Sequence, residues 1–181
     1  MEVIKTKIPE VLLIKPDVFS DNRGWFMETY SYERYKEYGI NVVFVQDNRS
    51  RTEKKGTVRG LHFQKKPKAQ SKLVTCTRGK LLDVVVDIRR DSPTYKEWVS
   101  VELSEENKYQ LFVPQGFAHG FVSLEDETEI LYKVDDFYSK EYDRSIRFDD
   151  PEIAVDWQVE NPILSDKDMD APLLAQSDAN F

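Results

Sequence analysis

The chain has 181 residues, 40% of them hydrophobic, 33% charged and 12% aromatic, an apolar content that excludes intrinsic disorder as the overall state; a chain of this size can bury about 70% of its unfolded surface without disulfides. Twenty-six Lys and Arg stand against 33 Asp and Glu, a formal net charge of −7, which argues against a general binder of nucleic acid or anionic lipid but not against a small anion held by a few converging cations. Seven Gly and eight Pro exclude a collagenous or low-complexity chain, and no stretch approaches the roughly 18 apolar residues of a membrane span.

The N-terminal run MEVIKTKIPEVLLIKP has no uninterrupted apolar core and no small-residue cleavage site, so no signal peptide is expected. Short β-like runs then dominate. Strands are expected at Val11 to Ile14, Val42 to Gln46, Val58 to Gln64, Leu73 to Thr77, Leu81 to Ile88, Trp98 to Leu103, Leu111 to Pro114, Phe121 to Leu124 and Thr128 to Val134. Breakers separate them at Asp21-Asn22-Arg23-Gly24, Arg78-Gly79, Asp91-Ser92-Pro93 and Pro114-Gln115-Gly116. One helix of about two turns is expected from Ser31, an N-cap residue, to Gly39, and Ser104 to Asn107 reads as a single turn. The tail after Asp149 carries Pro151, Pro162 and Pro172 and should drape irregularly over one domain spanning 1–181. Many short strands at this spacing predict a mainly β sandwich or barrel.

Two strands have informative faces. In Leu81 to Ile88, Leu82, Val84, Val86 and Ile88 share one face; Leu81, Asp83, Val85 and Asp87 share the other. In Thr128 to Val134, Thr128, Ile130, Tyr132 and Val134 share a face, and an inward Tyr132 hydroxyl needs a partner, protein or ligand. The lone Cys76 reads as a buried thiol in an apolar strand and suits a cytoplasmic protein.

Only two histidines are present, His62 and His119, with no H-x-H pair, so neither a metal site nor a metal-dependent oxygenase is expected. His62, inside VRGLHFQ, is either a satisfied structural residue or the chain's best general base. His119, at a tight strand connection, is a turn residue or a ligand contact. The segments DNRGWF, Gln46-Asp47-Asn48 and Leu164 to Asp168 are either turn chemistry or parts of a site. Lys65, Lys66 and Lys68 are most simply a solvated loop.

Together, FSDNRGWFMETY, FVQDNRS, VRGLHFQ, AQSKLV, DVVVDIRRDSPTY, LSEENKYQLFVPQGFAHGF, LYKV with Tyr138, and ILSDKD with APLL resemble the dTDP-4-dehydrorhamnose 3,5-epimerases, in order and spacing, from about residue 3 to 174. The resemblance implies a cupin jelly roll (a double-stranded β-helix) in a homodimer, with no metal or organic cofactor. It implies a dTDP-sugar substrate, dTDP-4-dehydro-6-deoxy-D-glucose, epimerised at carbons 3 and 5 to dTDP-4-dehydro-L-rhamnose on the way to dTDP-L-rhamnose for cell-surface polysaccharide. By the same resemblance His62 is the base, Asp168 its hydrogen-bonding partner, Tyr132 the acid on the opposite face and Lys72 the cation for the enolate oxygen. Asp83 could orient the His–Lys pair.

Arg23 and Arg59 match diphosphate or sugar contacts, Glu28, Gln46, Asp47 and Asn48 match nucleotide contacts, and Tyr138 matches a ring stacked on thymine. Lys72, His119, Asp143 and Lys167 match further substrate contacts; at Asp143 the family often carries Glu. The loop Arg49 to Thr57 is one residue longer than in some relatives. Relatives on the same scaffold epimerise only carbon 3 or move the keto group between carbons 3 and 4. The joint presence of His62, Lys72, Tyr132 and Asp168 favours the double epimerase over these and over a binding-only cupin.

Overall fold

The computed structural model describes residues 1–181. In chain order the strands are β1 (Glu2–Lys5), β2 (Leu12–Lys15), β3 (Val18–Asp21), β4 (Gly24–Met27), β5 (Gln46–Thr52), β6 (Val58–Gln64), β7 (Lys72–Arg78), β8 (Lys80–Asp87), β9 (Trp98–Ser104), β10 (Gln110–Val113), β11 (Phe117–Ser123), β12 (Thr128–Val134) and β13 (Asp143–Ser145). Helix α1 (Tyr32–Lys36) precedes β5, and α2 (Asp166–Met169) lies in the tail. Two antiparallel sheets, ordered β1-β2-β10-β7-β12-β5 and β13-β6-β11-β8-β9, face each other as the expected jelly roll. β3 and β4 form a separate hairpin.

Burial follows the strand period. Leu81 and Val85 on β8 point between the sheets, where they meet Phe117 and Phe121 of β11, Val74 and Cys76 of β7, Leu111 of β10 and Ile130 of β12. Leu82, Val84 and Val86 point to the outer face of the second sheet. There Ile146, Ile153, Trp157 and Leu174 cover them. A sheet buried on both faces needs near-continuous apolar strands, and β8 and β11 have them. Each fully buried aliphatic side chain contributes about 1.5–3 kcal/mol, so the tail is held by its own packing. A third cluster puts Tyr35 of α1 and Ile40 on Leu12, Ile14, Leu73 and Phe112, the outer face of the first sheet. Burial pushes the Cys76 thiol up to about 12, in keeping with an inert core residue.

β6 departs from simple alternation. His119 pairs with His62 and Phe121 pairs with Arg59, so two steps on β11 oppose three on β6. This bulge puts Arg59 and His62 on the same inward face, which regular alternation would forbid. It rests on two glycines. Gly60 has φ +146°, and a Cβ there would lie 2.6 Å from the Gly120 Cα; a Cβ on Gly120 would lie 2.8 Å from the Arg59 carbonyl.

Several expectations are corrected. Residues 42–45 form no strand; Val42 and Phe44 pack beside the third cluster. The strand is the polar segment that follows, whose side chains alternate between the pocket and solvent. Arg49 to Thr52 therefore belongs to β5 and not to a loop. His119 lies inside β11, paired to His62 and Val85, because the tight turn falls at Gly116, before the strand. β1, β3, β4, β13 and α2 lie outside the expected elements. The helix at 31–39 is shorter than read, and Ser31 caps it without a side-chain hydrogen bond. The Asp87 of DIRRDSPTY serves the fold: buried, it takes hydrogen bonds from Arg89, Ser92 and Thr94 and fastens the β8–β9 connection.

Gly60→Ala is expected to lose about 2–5 kcal/mol from left-handed strain plus overpacking. Gly39→Ala, at φ +88° with nothing within 4 Å of its added Cβ, should lose only about 1–2 kcal/mol. Guanidinium unfolding followed by tryptophan fluorescence measures both; equal losses would contradict the close β6–β11 approach.

Candidate active site

A cavity of about 610 Å³ opens between the two sheets. Its size suits a small-molecule ligand. β5, β7 and β12 form one wall, with Gln46, Asn48, Ser50, Lys72 and Tyr132. β6 and β11 form the other, with Arg59, His62, Gln64, His119 and Phe121. The tail closes one side with Ile163, Leu164, Ser165, Lys167 and Asp168.

His62 Nε2 donates to Asp168 Oδ1 at 2.6 Å. An ionised carboxylate only accepts, so this bond fixes the proton on Nε2 and leaves Nδ1 as the free basic nitrogen. The chain holds Asp168 there by local means. Ile163 bridges to Thr57 beside β6, then Ser165 caps α2 by accepting from the Asp168 amide at 3.2 Å. Asp168 is buried, which alone would raise its carboxyl; hydrogen bonding led by His62 outweighs this and holds it below the usual carboxylate value.

Lys72 is buried, its Nζ 3.5 Å from the His62 carbonyl. Burial pushes its ammonium down to about 8, against the pull of the Asp83 and Asp143 charges. Tyr132 points inward as the β12 alternation predicted. Burial raises its phenol, Asp143 adds to this, and Arg59 opposes it. The hydroxyl therefore stays protonated at neutral pH and can act as a proton donor. His119 Nε2 donates to buried Asp83 Oδ1 at 2.7 Å, and burial keeps this imidazole below its ordinary value despite that carboxylate.

Around the mouth, Arg59 is braced by Thr52 Oγ1 and the Arg51 carbonyl, both at 3.1 Å. Asp143 accepts from Lys167 at 2.7 Å, joining β13 to α2. Tyr138 is exposed at the rim, and its amide donates to Gln46 Oε1 at 3.2 Å.

Ten sequence-derived residues thus meet in addition to Lys72: His62, Tyr132, Asp168, Gln46, Asn48, Arg59, His119, Tyr138, Asp143 and Lys167. Three do not. Asp47 lies on the opposite face of β5, paired with Lys133 at 2.9 Å. Arg23 is in the β3–β4 turn, paired with Asp21 at 2.6 Å, and Glu28 pairs with Arg34 at 3.4 Å just after the hairpin. Gln64 lines the pocket as well, outside the candidate residues of the sequence. It donates to the carbonyls of Lys68 and Phe137 and accepts from the Ser139 amide at 2.6 Å, so it fastens the segment bearing Tyr138. A buried amide at the end of an apolar strand was its signal.

The family model for dTDP-4-dehydrorhamnose 3,5-epimerase matches residues 5–176. The chain is 51% identical to the Shigella flexneri dTDP-4-dehydrorhamnose 3,5-epimerase over 179 residues, 98% of each chain. A crystal structure of the Bacillus anthracis enzyme of that name, with TDP and PPi bound, superposes with a TM-score of 0.93 at 48% identity, covering 95% of this chain and 98% of that one. A dTDP-6-deoxy-D-glucose-3,5-epimerase from Legionella pneumophila, in complex with dTDP-4-keto-L-rhamnose, gives 0.94 at 45% identity, covering 98% and 94%. The chain belongs to the dTDP-4-dehydrorhamnose 3,5-epimerase family.

Proposed function

We propose that this chain epimerises dTDP-4-dehydro-6-deoxy-D-glucose at carbons 3 and 5 to give dTDP-4-dehydro-L-rhamnose, as a cytoplasmic homodimer. The observation that carries the reading is the placement of His62 and Tyr132 on opposite walls of one pocket. Both reacting carbons flank the carbon-4 ketone, so removing either proton gives an enolate. His62 Nδ1 takes the proton on one face while Asp168 steadies the imidazolium that forms. The Lys72 ammonium meets the negative charge developing on the ketone oxygen. Tyr132 then returns a proton to the opposite face, and inversion follows. The resulting phenolate and imidazolium reset by exchange with solvent.

Arg59 presents a fork suited to phosphate oxygens, and Tyr138 supplies a ring at the rim for the base. Gln46, Asn48, Asp143 and Lys167 complete the contacts. The β3–β4 hairpin exposes Phe19, Trp25 and Phe26, and Val43 and Val45 are exposed beyond it. An apolar patch of this kind suits a second copy. In such a dimer Arg23 and Glu28 of one copy would serve the pocket of the other, since neither reaches the pocket of its own chain.

Incubation with the substrate in D₂O, followed by NMR, tests the chemistry. Deuterium and inversion at both carbons are expected. Inversion at carbon 3 alone would instead indicate the mono-epimerase. His62→Ala should lower turnover by about 10²–10⁴. Tyr132→Phe should keep exchange but lose inversion, because His62 can return a proton to the face it came from. Equal loss of both in Tyr132→Phe would contradict the two-faced assignment.

Lysine is cationic below its pKa, so the rate should fall as pH rises through about 8, where Lys72 loses its proton. A kcat profile level to about pH 10, where an ordinary lysine titrates, would contradict the role given to Lys72.

Light scattering at micromolar concentration should return twice the 21.2 kDa chain mass. Trp25→Asp should return the single mass. A wild-type monomer would refute the dimer.

A further inference from the structure

Asp83 stands out on a strand whose other inward residues near the pocket are apolar. It is fully buried, and its two oxygens have different surroundings. Oδ1 takes the His119 hydrogen bond at 2.7 Å. Oδ2 is buried with no hydrogen-bond partner in the protein. Such an oxygen is costly unless a charge or ligand compensates it.

Lys72 faces the same cluster: its Nζ approaches the carbonyl of His62, the cross-strand partner of His119, which Asp83 holds. Its ammonium has a single long contact, with the His62 carbonyl at 3.5 Å. The charged and titratable groups that share its pocket are Arg59 and His62 from β6, His119 from β11, Tyr132 from β12, Tyr138, Asp143 from β13, and Lys167 and Asp168 from α2; Asp83 from β8 joins them through its bond from His119. Two of the three carboxylates are already engaged, Asp143 by Lys167 at 2.7 Å and Asp168 by His62 at 2.6 Å. Of the three, only Asp83 has an oxygen that is both buried and without a hydrogen-bond partner.

We propose that Asp83 is a positioning residue that keeps Lys72 cationic through its free Oδ2 while its Oδ1 fixes His119 with the proton on Nε2. It touches no reacting atom and acts through Lys72. This rests on the reading of Lys72 as the cation that meets the enolate oxygen. The separation has chemical value. A direct ion pair would occupy the ammonium hydrogens, whereas a carboxylate a short way off holds the proton on Lys72 and leaves those hydrogens for the substrate. The ammonium, pushed down to about 8 by burial, is pulled upward first by Asp83 and then by Asp143.

The test is Asp83→Asn, which preserves shape and can still accept from His119. The Lys72 titration is read directly by NMR of protein labelled with ¹³C at lysine Cε, the resonance being assigned by its loss in Lys72→Arg. Asp83→Asn should lower the Lys72 midpoint by at least one pH unit, a tenfold loss of proton affinity. The alkaline limb of kcat/KM should move down by the same amount, with activity largely regained near pH 6. Asp143→Asn, whose carboxylate is already engaged, should move the midpoint less.

An unchanged Lys72 midpoint in folded Asp83→Asn would overturn the proposal and leave Asp83 as an anchor for His119 alone. If Asp83→Asn does not fold, the wild-type midpoint decides: near 8 supports a resident counter-charge, whereas roughly 5–6, as for isolated buried lysines, overturns it. The NMR titration needs no turnover. A shifted midpoint in a protein that fails to epimerise would therefore refute the function and not the electrostatics.

Discussion

The bulge at Gly60 is the constraint on which the site depends. A strand alternates its faces, so Arg59 and His62, three residues apart, would normally point in opposite directions. The extra residue turns both inward, opposite Phe121 and His119. The left-handed backbone at Gly60 and the absence of a side chain at Gly120 let β6 and β11 approach closely enough for this. An alanine-sized group on either strand would push apart the wall that carries His62 and Arg59.

The pocket is assembled from three layers with different origins. One sheet supplies Lys72 and Tyr132, the other supplies Arg59, His62 and His119, and the tail supplies Asp168 and Lys167. The His62–Asp168 hydrogen bond is worth about 1.5–3 kcal/mol as a bond to a charged carboxylate, whereas burial of Trp157, Ile153, Ile146 and Leu174 against the outer sheet face contributes several times that. Packing therefore places the dyad. The dyad then sets which imidazole nitrogen is free.

Much of this was legible in the sequence where side-chain period maps onto burial. The two faces of β8 and the inward face of β12 followed from alternation alone, and the tail read as a drape from its prolines. The chemistry at His62, Lys72, Tyr132 and Asp168 came from resemblance, and the geometry brings those residues together. What stayed hidden has physical reasons. β5 lines a polar pocket, so its residues carry no hydrophobic signal, while the neighbouring apolar residues 42–45 pack without forming a strand. The bulge breaks the parity that alternation relies on. The short β3–β4 pair draws its regularity from a tight turn, with all three of its aromatics exposed. Asp47 shows the limit of reading a run as a unit, because in Gln46-Asp47-Asn48 the middle residue must face away.

The draping of the tail has a consequence for how the protein fails. The inter-sheet core is complete without residues beyond 149, since its members all come from earlier in the chain. The tail and the sandwich are therefore separable cooperative units in principle. Detachment of the tail would strip His62 of its carboxylate and open one side of the cavity while the inter-sheet core stayed packed. Catalytic competence and foldedness then have different thresholds. The His62–Asp168 pair answers to the weaker of the two.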